Sequence, residues 1–513
     1  MNRLTKTEKS WVLYDWANSV YATIIMAAIF PIYFSSVAAA EGMAGDVYWG
    51  YVTSIATFIV AVSAPILGAI GDFAGFKKKM FTGFLITGLL FTLVMAVTDH
   101  PMLMLVGYGI SYVGFAGSNL FYDSFLTDVT TKENMDKVSS FGYAMGYLGG
   151  STIPFVISIT LILFADALGI GNAGAVKISV VLTVVWWSVF SVPMLRNVKQ
   201  IHHIEKPQKS FLREVFANLG KTVKKIAKDK GLLLFIIAYF FYIDGVGTVI
   251  HMATSYGSTL GLSSTGMILA LLLTQIIAVP CSILFSRFSQ KIGTIKMLLV
   301  GISVYIVVCL VGFYMGFSLE PHQFEYEREY KLTADAAIET ASLSDEAGKA
   351  LYKSGFSVLP QKDRADAFAD SAQKLASDFP DEDSSLRSAA EIINSFLNAP
   401  EKSAAYDAAL SFSSILFWVL SVFVGTSQGG MQALSRSHFG KVIPAERSNE
   451  FFGFFDIFGK FASVIGPALY AAFAHATGRS SIGILSLAML FILGGVTLFI
   501  QRKFSGNGEA AHE

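Results

Sequence analysis

Only two cysteines, Cys281 and Cys309, occur in 513 residues, and both stand inside apolar runs. Neither a disulfide framework nor a thiolate metal site is therefore expected. Charge is equally scarce: Asp, Glu, Lys and Arg make up 15% of the chain and cancel to a formal net charge of zero. That balance offers no electrostatic case for a nucleic-acid partner. No His/Glu set at metal-ligand spacing and no nucleophile motif is present, so neither a cofactor nor an enzymatic activity is expected.

What the chain has instead is hydrophobic residues, 53% of the total, and a mean hydropathy of +0.55. That leaves too little polar material to cover a soluble globule of this length. Apolar segments long enough to cross a bilayer lie near 11–36, 48–71, 80–98, 102–126, 138–165 and 175–195. A second set lies near 232–257, 264–287, 295–318, 409–434, 450–475 and 481–501. The expectation is an all-α membrane protein of about twelve transmembrane helices in two pseudo-symmetric bundles of six. Val37-Ala38-Ala39 resembles a small-residue cleavage site, but the run before it is too long for a signal peptide and carries Asp15 and Asn18. It is read as an uncleaved first span.

Cytoplasmic connections are enriched in Lys and Arg. Lys6, Lys9, Lys77 to Lys79, Lys132, Lys137, Arg287, Lys291, Lys296, Arg436, Lys441, Arg447, Arg502 and Lys503 all fall on one side of this topology, against Lys177 and Arg479 on the other. Both termini are placed in the cytoplasm, and the membrane is expected to be a bacterial-type plasma membrane. The expected units are an N-terminal bundle at 1–195, a basic linker at 196–230 and a C-terminal bundle at 231–505. Inside the last lies a polar insertion at 319–407.

In the linker, Phe211, Val215, Leu219, Val223 and Ile226 recur at helical spacing among many lysines. The pattern suits a basic amphipathic helix on the inner membrane surface, or a solvated loop helix that only sets orientation. The insertion holds roughly twice as many acidic as basic residues, with Pro360, Pro380 and Pro400 dividing helix-sized pieces. Phe368, Ala372, Leu375 and Phe379 share one face, as do Leu386, Ala390, Ile393 and Phe396. A small extracytoplasmic helical cap is expected there.

Polar residues inside spans are costly and mark sites or interhelical contacts. Asp15, Asn18, Asn119, Asp123, Asp244, His251, Gln428, Gln432, Asp456 and Lys460 are the candidates for substrate binding or coupling. Asp244 and His251 lie seven residues apart on one face; Asp456 and Lys460, at i and i+4, stand close enough to pair. By depth, Asp244 and Lys460 come near the midplane, and Lys460 is the one basic residue expected there. Asp15 and Asp123 come nearer the inner surface and suit a gate. The halves also echo each other: Asp15 is followed about 230 residues later by Asp244 in a similar setting, and Phe141-Gly142-Tyr143 by Phe452-Gly453-Phe454. Transporters are often built from such repeats, with the site between them.

The loop Gly68-Ala-Ile-Gly-Asp72-Phe-Ala-Gly75-Phe-Lys77-Lys78-Lys79 resembles the signature of the major facilitator superfamily between its second and third helices. Gly68, Asp72, Gly75 and Lys77 carry that likeness as a gating loop, while Phe73 and Phe76 stand where the signature has basic residues. Tyr14-Asp15-Trp16-Ala17-Asn18-Ser19, Tyr242-Ile-Asp244-Gly245, Gln428-Gly-Gly-Met-Gln432-Ala-Leu-Ser-Arg436 and Glu450-Phe-Phe-Gly453-Phe-Phe-Asp456 are similar, more narrowly, to the vacuole effluxer, or autophagy-related, family. The resemblance implies a major facilitator fold and transport of a small-molecule solute by a monomer. Amino-acid efflux is the role attached to fungal members. Coupling to protons through Asp244 is the further expectation, and a transporter-like sensor whose insertion binds a partner is the competing one.

Overall fold

Residues 4–205, 211–361 and 363–509 are described by the computed structural model, without the side chains of 46, 211, 212, 264, 460–463, 503 and 505–509. Helix formation starts where the sequence supplies a cap. Thr5 Oγ1 accepts the Glu8 N–H at 3.2 Å and Glu8 Oε2 accepts the Thr5 N–H at 2.7 Å, satisfying two donors that a helix start leaves open. From there α1 (Lys6–Val20) loosens into a π-helical stretch (Tyr21–Ala28) and bends by 41° into α2 (Phe30–Ala40). Pro31 stands in the first turn of α2, where its missing N–H costs nothing.

The first half continues with α3 (Gly45–Gly71), α4 (Phe76–Val97), α5 (Pro101–Ser124), a single turn α6 (Leu126–Val129), α7 (Met135–Met145), a second π-helical stretch (Gly146–Thr152), α8 (Ile153–Leu163) and α9 (Gly171–Asn197). The linker helix α10 (Phe211–Lys228) leads to α11 (Lys230–Thr259), α12 (Ser264–Ile292) and α13 (Thr294–Thr340). The insertion adds α14 (Asp345–Val358), α15 (Arg364–Asp378) and α16 (Asp383–Leu397), and α17 (Pro400–Val442), α18 (Ser448–Thr477) and α19 (Ser480–Glu509) complete the chain.

Among the described residues ten helices are long and apolar enough to cross a membrane, and the bent α1–α2 pair makes eleven. The 24-residue α5 fills the remaining place among the expected twelve. It is less apolar because its buried face carries Tyr108, Ser111, Tyr112 and Ser118. On α9, Ile178, Val181, Val185 and Val189 form an exposed stripe at helical spacing, which water would not tolerate on this scale. The chain is a multi-pass integral membrane protein.

The helices of the insertion are built onto those of the second half. Helix α13 runs past the expected end of its span, near 318, to Thr340, and α17 begins at Pro400, ahead of the expected 409. The two helices project beyond the bundle and α14 to α16 pack against them, so Tyr326, Tyr330, Leu351, Phe368, Leu386 and Ile393 are buried together. Phe368, Leu386 and Ile393 come from the two expected apolar faces. Buried Arg364 ties three helices, pairing with Asp407 and donating to Tyr326 Oη at 3.1 Å. The α11–α12 turn enters the same core through Leu260 and Leu262, which makes the insertion an extension of the second half.

Helix α10 buries Val215, Asn218, Thr222 and Ile226. Val215 packs with Ala69 and Phe73 at the end of α3, which explains why Phe73 is apolar where the superfamily signature is basic. Val223, expected on this face, is exposed together with Phe216. The helix is rotated so that small polar residues rather than Val223 meet the bundle.

Candidate functional site

The polar contacts joining the two halves gather at the end that carries the Asp72 loop. Gly75 begins α4 with φ +76°, a left-handed conformation that favours glycine. The turn it permits aims Asp72 across the interface at the start of α18. There Asp72 Oδ1 accepts the Asn449 N–H at 2.9 Å and Asn449 Nδ2 at 2.7 Å, while Oδ2 accepts the Glu450 N–H at 3.0 Å. A carboxylate at a helix start receives both free N–H donors and the favourable end of the dipole. Burial pushes the Asp72 carboxyl up to about 7, against the opposing pull of Lys77 and of these donors. The helices can approach because both contact surfaces lack side chains: a Cβ at Gly68 would lie 2.3 Å from Asn449 O, and one at Gly453 2.6 Å from Ala64 O.

Lys77, counted in the sequence among loop bases, is fully buried. Its Nζ meets Asp128 Oδ2 at 2.7 Å, Ser448 Oγ at 2.9 Å and Ser124 O at 3.2 Å. A pseudo-symmetric lock closes the other side of the same end. Asp136, at the start of α7, accepts from Ser289 at 3.0 Å, Thr294 at 2.9 Å and Ser437 at 2.5 Å, and pairs with Lys441 at 2.6 Å. In one lock the acid sits on the loop and meets a helix start; in the other it sits at the helix start and meets the end of α12, the start of α13 and the end of α17.

Above these locks a cavity of about 200 Å³ opens between the halves, lined by Asp123, Tyr143, Tyr239, Gln432, Arg436 and Asp456 among others. Arg436 holds its floor. The sequence reading put this residue in a basic connection; it lies instead within α17 and is 3% exposed. Its Nη2 meets Asp15 Oδ2 at 3.1 Å, Nη1 meets Asp123 Oδ1 at 2.9 Å, and Nε donates to Ser139 Oγ at 2.9 Å. Trp11 and Tyr143 cover the guanidinium, with ring centres at 4.6 and 4.5 Å. Two acidic side chains thus share one guanidinium.

The other expected residues separate. Asn18 donates through Nδ2 to Asn119 Oδ1, joining α1 to α5. Gln428 reaches across the halves to Tyr147 Oη at 3.0 Å, while its own Oε1 is buried with no hydrogen-bond partner. Gln432 and Asp456 line the cavity. Asp244 does not: its carboxylate is buried and takes the Gly466 N–H on both oxygens, at 3.0 and 2.9 Å, with Thr248 at 3.3 Å. Pro467, next in sequence, loosens the α18 turn that would otherwise occupy that N–H. Asp244 thus braces α11 against α18 inside one half, and His251 is exposed two turns away. The side chain of Lys460 lies outside the described residues, so the expected pairing with Asp456 does too.

Sequence reasoning missed Arg436, Tyr143 and Asp136 as site residues. One signal was present: Gln428, Gln432 and Arg436 recur every four residues on one helix face, which continues the polar stripe to the arginine.

A family model described as "Vacuole effluxer Atg22 like" matches residues 127–332 and 413–511, and the gap between the two stretches falls largely on the insertion. The "Uncharacterized MFS-type transporter YxiO" of Bacillus subtilis is 37% identical over 513 residues, covering 98% of this chain and 97% of the relative. "Autophagy-related protein 22" of Cryptococcus neoformans is 24% identical over 378 residues, 72% of this chain and 53% of that protein. Among solved structures, a bacterial homologue of the iron transporter ferroportin in an outward-facing state aligns with a TM-score of 0.55 at 10% identity, over 98% of this chain and 100% of that one. The major facilitator transporter FucP in its outward conformation aligns at 0.55 and 13%, over 97% of each chain. At these identities the structural matches speak to the fold, which is that of the major facilitator superfamily.

Proposed function

The chain belongs to the vacuole effluxer Atg22-like family of the major facilitator superfamily, and from that premise we propose that it moves a small solute across its membrane by alternating access. The observation that carries this reading is the charged cavity between the halves, floored by Arg436 and sealed at one end by the two locks. Its volume of about 200 Å³ is below the range of drug-sized sites and suits a compact molecule.

An amino acid fits the charges. Its carboxylate would take the Arg436 guanidinium in place of an acid, as a charge-assisted bidentate pair, and its ammonium would meet Asp456. The acids of the floor come from the first half and the arginine from the second, so opening the Asp72 end must part them. Parting a buried pair leaves charges bare at a cost of about 3–5 kcal/mol. A solute carboxylate on Arg436 and a proton on the acids would together remove that cost, which is how solute and proton movement become coupled. Asp123 is the acid a proton reaches more readily, its side chain being 32% exposed against 12% for Asp15. This assigns to Asp123 the coupling role that the sequence reading gave Asp244, because Asp244 already accepts three hydrogen bonds within its own half.

The Lys-rich Asp72 end is proposed to face the cytoplasm of a bacterial-type cell, with both termini, the 1–195 and 231–505 bundles as the rocking units, and the 319–407 insertion outside. The state described here is then outward-facing, and the working unit a monomer. Purified protein in proteoliposomes tests the reading. Counterflow of an amino acid, accelerated by a pH gradient, is expected; Asp123→Asn should keep counterflow and lose the gradient effect, and Arg436→Lys should lose both. Flux of other solutes but of no amino acid would remove the substrate class, and flux of none would leave the sensor reading.

A further inference from the structure

Outside the transport path, the first half carries a basic groove at the membrane interface. It encloses about 660 Å³ along the start of α4 and is lined by Lys78, Lys79, Thr82, Gly83, Ile86, Lys199, Gln200 and His203, with Gly75 at its edge. Lys78 and Lys199 stand near enough to repel one another, and among the described residues no acidic side chain pairs with Lys78, Lys79 or Lys199. Lys78 Nζ instead donates to the Val198 carbonyl at 2.8 Å. His203 meets Glu205 at 3.6 Å, but Glu205 does not line the groove. Cations gathered around a concave surface without counter-charge are set for an anion.

The groove continues along the membrane. On α4 the exposed residues are Lys79, Gly83, Ile86, Leu90, Leu93 and Val97, spaced four, three, four, three and four apart, so they form one stripe down the helix. Gly83 leaves a notch in it, since a Cβ there would meet nothing within 4 Å. Cations at the head of an apolar stripe match a molecule with an anionic head and an apolar tail. A soluble phosphate would use only the upper part.

We infer that this groove binds an anionic phospholipid, its phosphate held by Lys78, Lys79, Lys199 and His203 and one acyl chain lying along Gly83, Ile86 and Leu90. The site touches the gating loop. Gln200 on its wall accepts the Gly75 N–H at 3.0 Å and donates to Gly71 O at 3.1 Å, so an occupied groove braces the turn that aims Asp72. Each lysine near an anionic headgroup adds to the attraction, and loss of two should weaken binding roughly thirtyfold.

The test is a titration of the detergent-purified full chain with dioctanoyl phosphatidylglycerol, read as the rise in Tm that binding to the folded state produces. Dioctanoyl phosphatidylcholine and inorganic phosphate are the comparison ligands. A rise with phosphatidylglycerol alone is expected. It should shift to roughly thirtyfold higher lipid in Lys79→Gln with Lys199→Gln, and be blunted in Gly83→Trp, whose side chain enters open space and should leave the lipid-free Tm unchanged. An equal rise with phosphatidylcholine, an equal rise with inorganic phosphate, or a wild-type titration in the double variant would each overturn the assignment. Should the double variant fold poorly, Gly83→Trp decides alone, and an unaltered titration there refutes the acyl-chain contact.

Discussion

Removing the Asp72 carboxylate by Asp72→Ala should open the end of the protein that the two locks close. The side chain is 1% exposed and accepts three hydrogen bonds, at 2.9, 2.7 and 3.0 Å, from Asn449 and Glu450. Deleting the acceptor leaves three buried donors unmatched, and at the lower end of about 1–3 kcal/mol for each the loss is about 3–5 kcal/mol. Since about 1.4 kcal/mol is tenfold, the ratio of closed to open molecules should fall by roughly two to three and a half decades. Lys77 keeps Asp128 and the Ser124 carbonyl within the first half, so the loop should stay folded while its cross-half contact is lost. Spin labels at Lys132 and Lys291, exposed on opposite halves at this end, report the change as a distance measured by double electron-electron resonance. A longer distance should dominate in the variant. An unchanged distribution in a protein that elutes and melts as wild type would refute the reasoning.

The same contact has a pH dependence with a defined sign. Burial holds the Asp72 carboxyl near 7, above its ordinary value of 3.8. A carboxyl raised in the closed state binds its proton more tightly there than when exposed. Closure is therefore strongest below about 4 and weakens as pH rises through 7, the reverse of an ordinary salt-bridged Asp. The label distance should lengthen over that interval in the wild type and lose the trend in Asp72→Asn.

Three further outcomes are expected. Arg436→Met should lower folded yield and abolish transport, since it leaves Asp15 and Asp123 facing each other without a cation at a cost of about 3–5 kcal/mol. Adding Asp15→Asn should restore yield but not transport; restored transport would show the arginine to be only a strut. Gly466→Ala should lower Tm by the equivalent of about 1–3 kcal/mol, because its Cβ would lie 2.0 Å from Thr248 Oγ1 and 2.8 Å from Asp244 Oδ1, and Thr248→Ala should recover part of the loss. Cysteines at the exposed positions Lys349 and Asp381 should react with an impermeant thiol reagent in intact cells and one at Lys224 should not; the opposite pattern would invert the proposed orientation.

The sequence by itself determined the features that local physics sets. Hydropathy and length marked the membrane segments, because a helix in lipid must satisfy its backbone internally and present apolar residues where it meets the lipid. Helical spacing found the buried Phe368, Leu386 and Ile393 of the insertion, and the glycine and acid pattern located the loop that carries Asp72. Tertiary structure alone decided which polar residues meet. Asp15 and Arg436 are 421 positions apart, and the polar stripe of Gln428, Gln432 and Arg436 marks the arginine without indicating which acid it meets. Asp15 and Asp244 echo each other in sequence, yet Asp15 binds across the halves while Asp244 turns to Gly466 in its own. The difference comes from what is packed opposite: an arginine on α17 in one case, a backbone N–H beside Pro467 of α18 in the other. A charge in a low-dielectric interior takes the partner that packing delivers, and that choice is made between helices rather than along them.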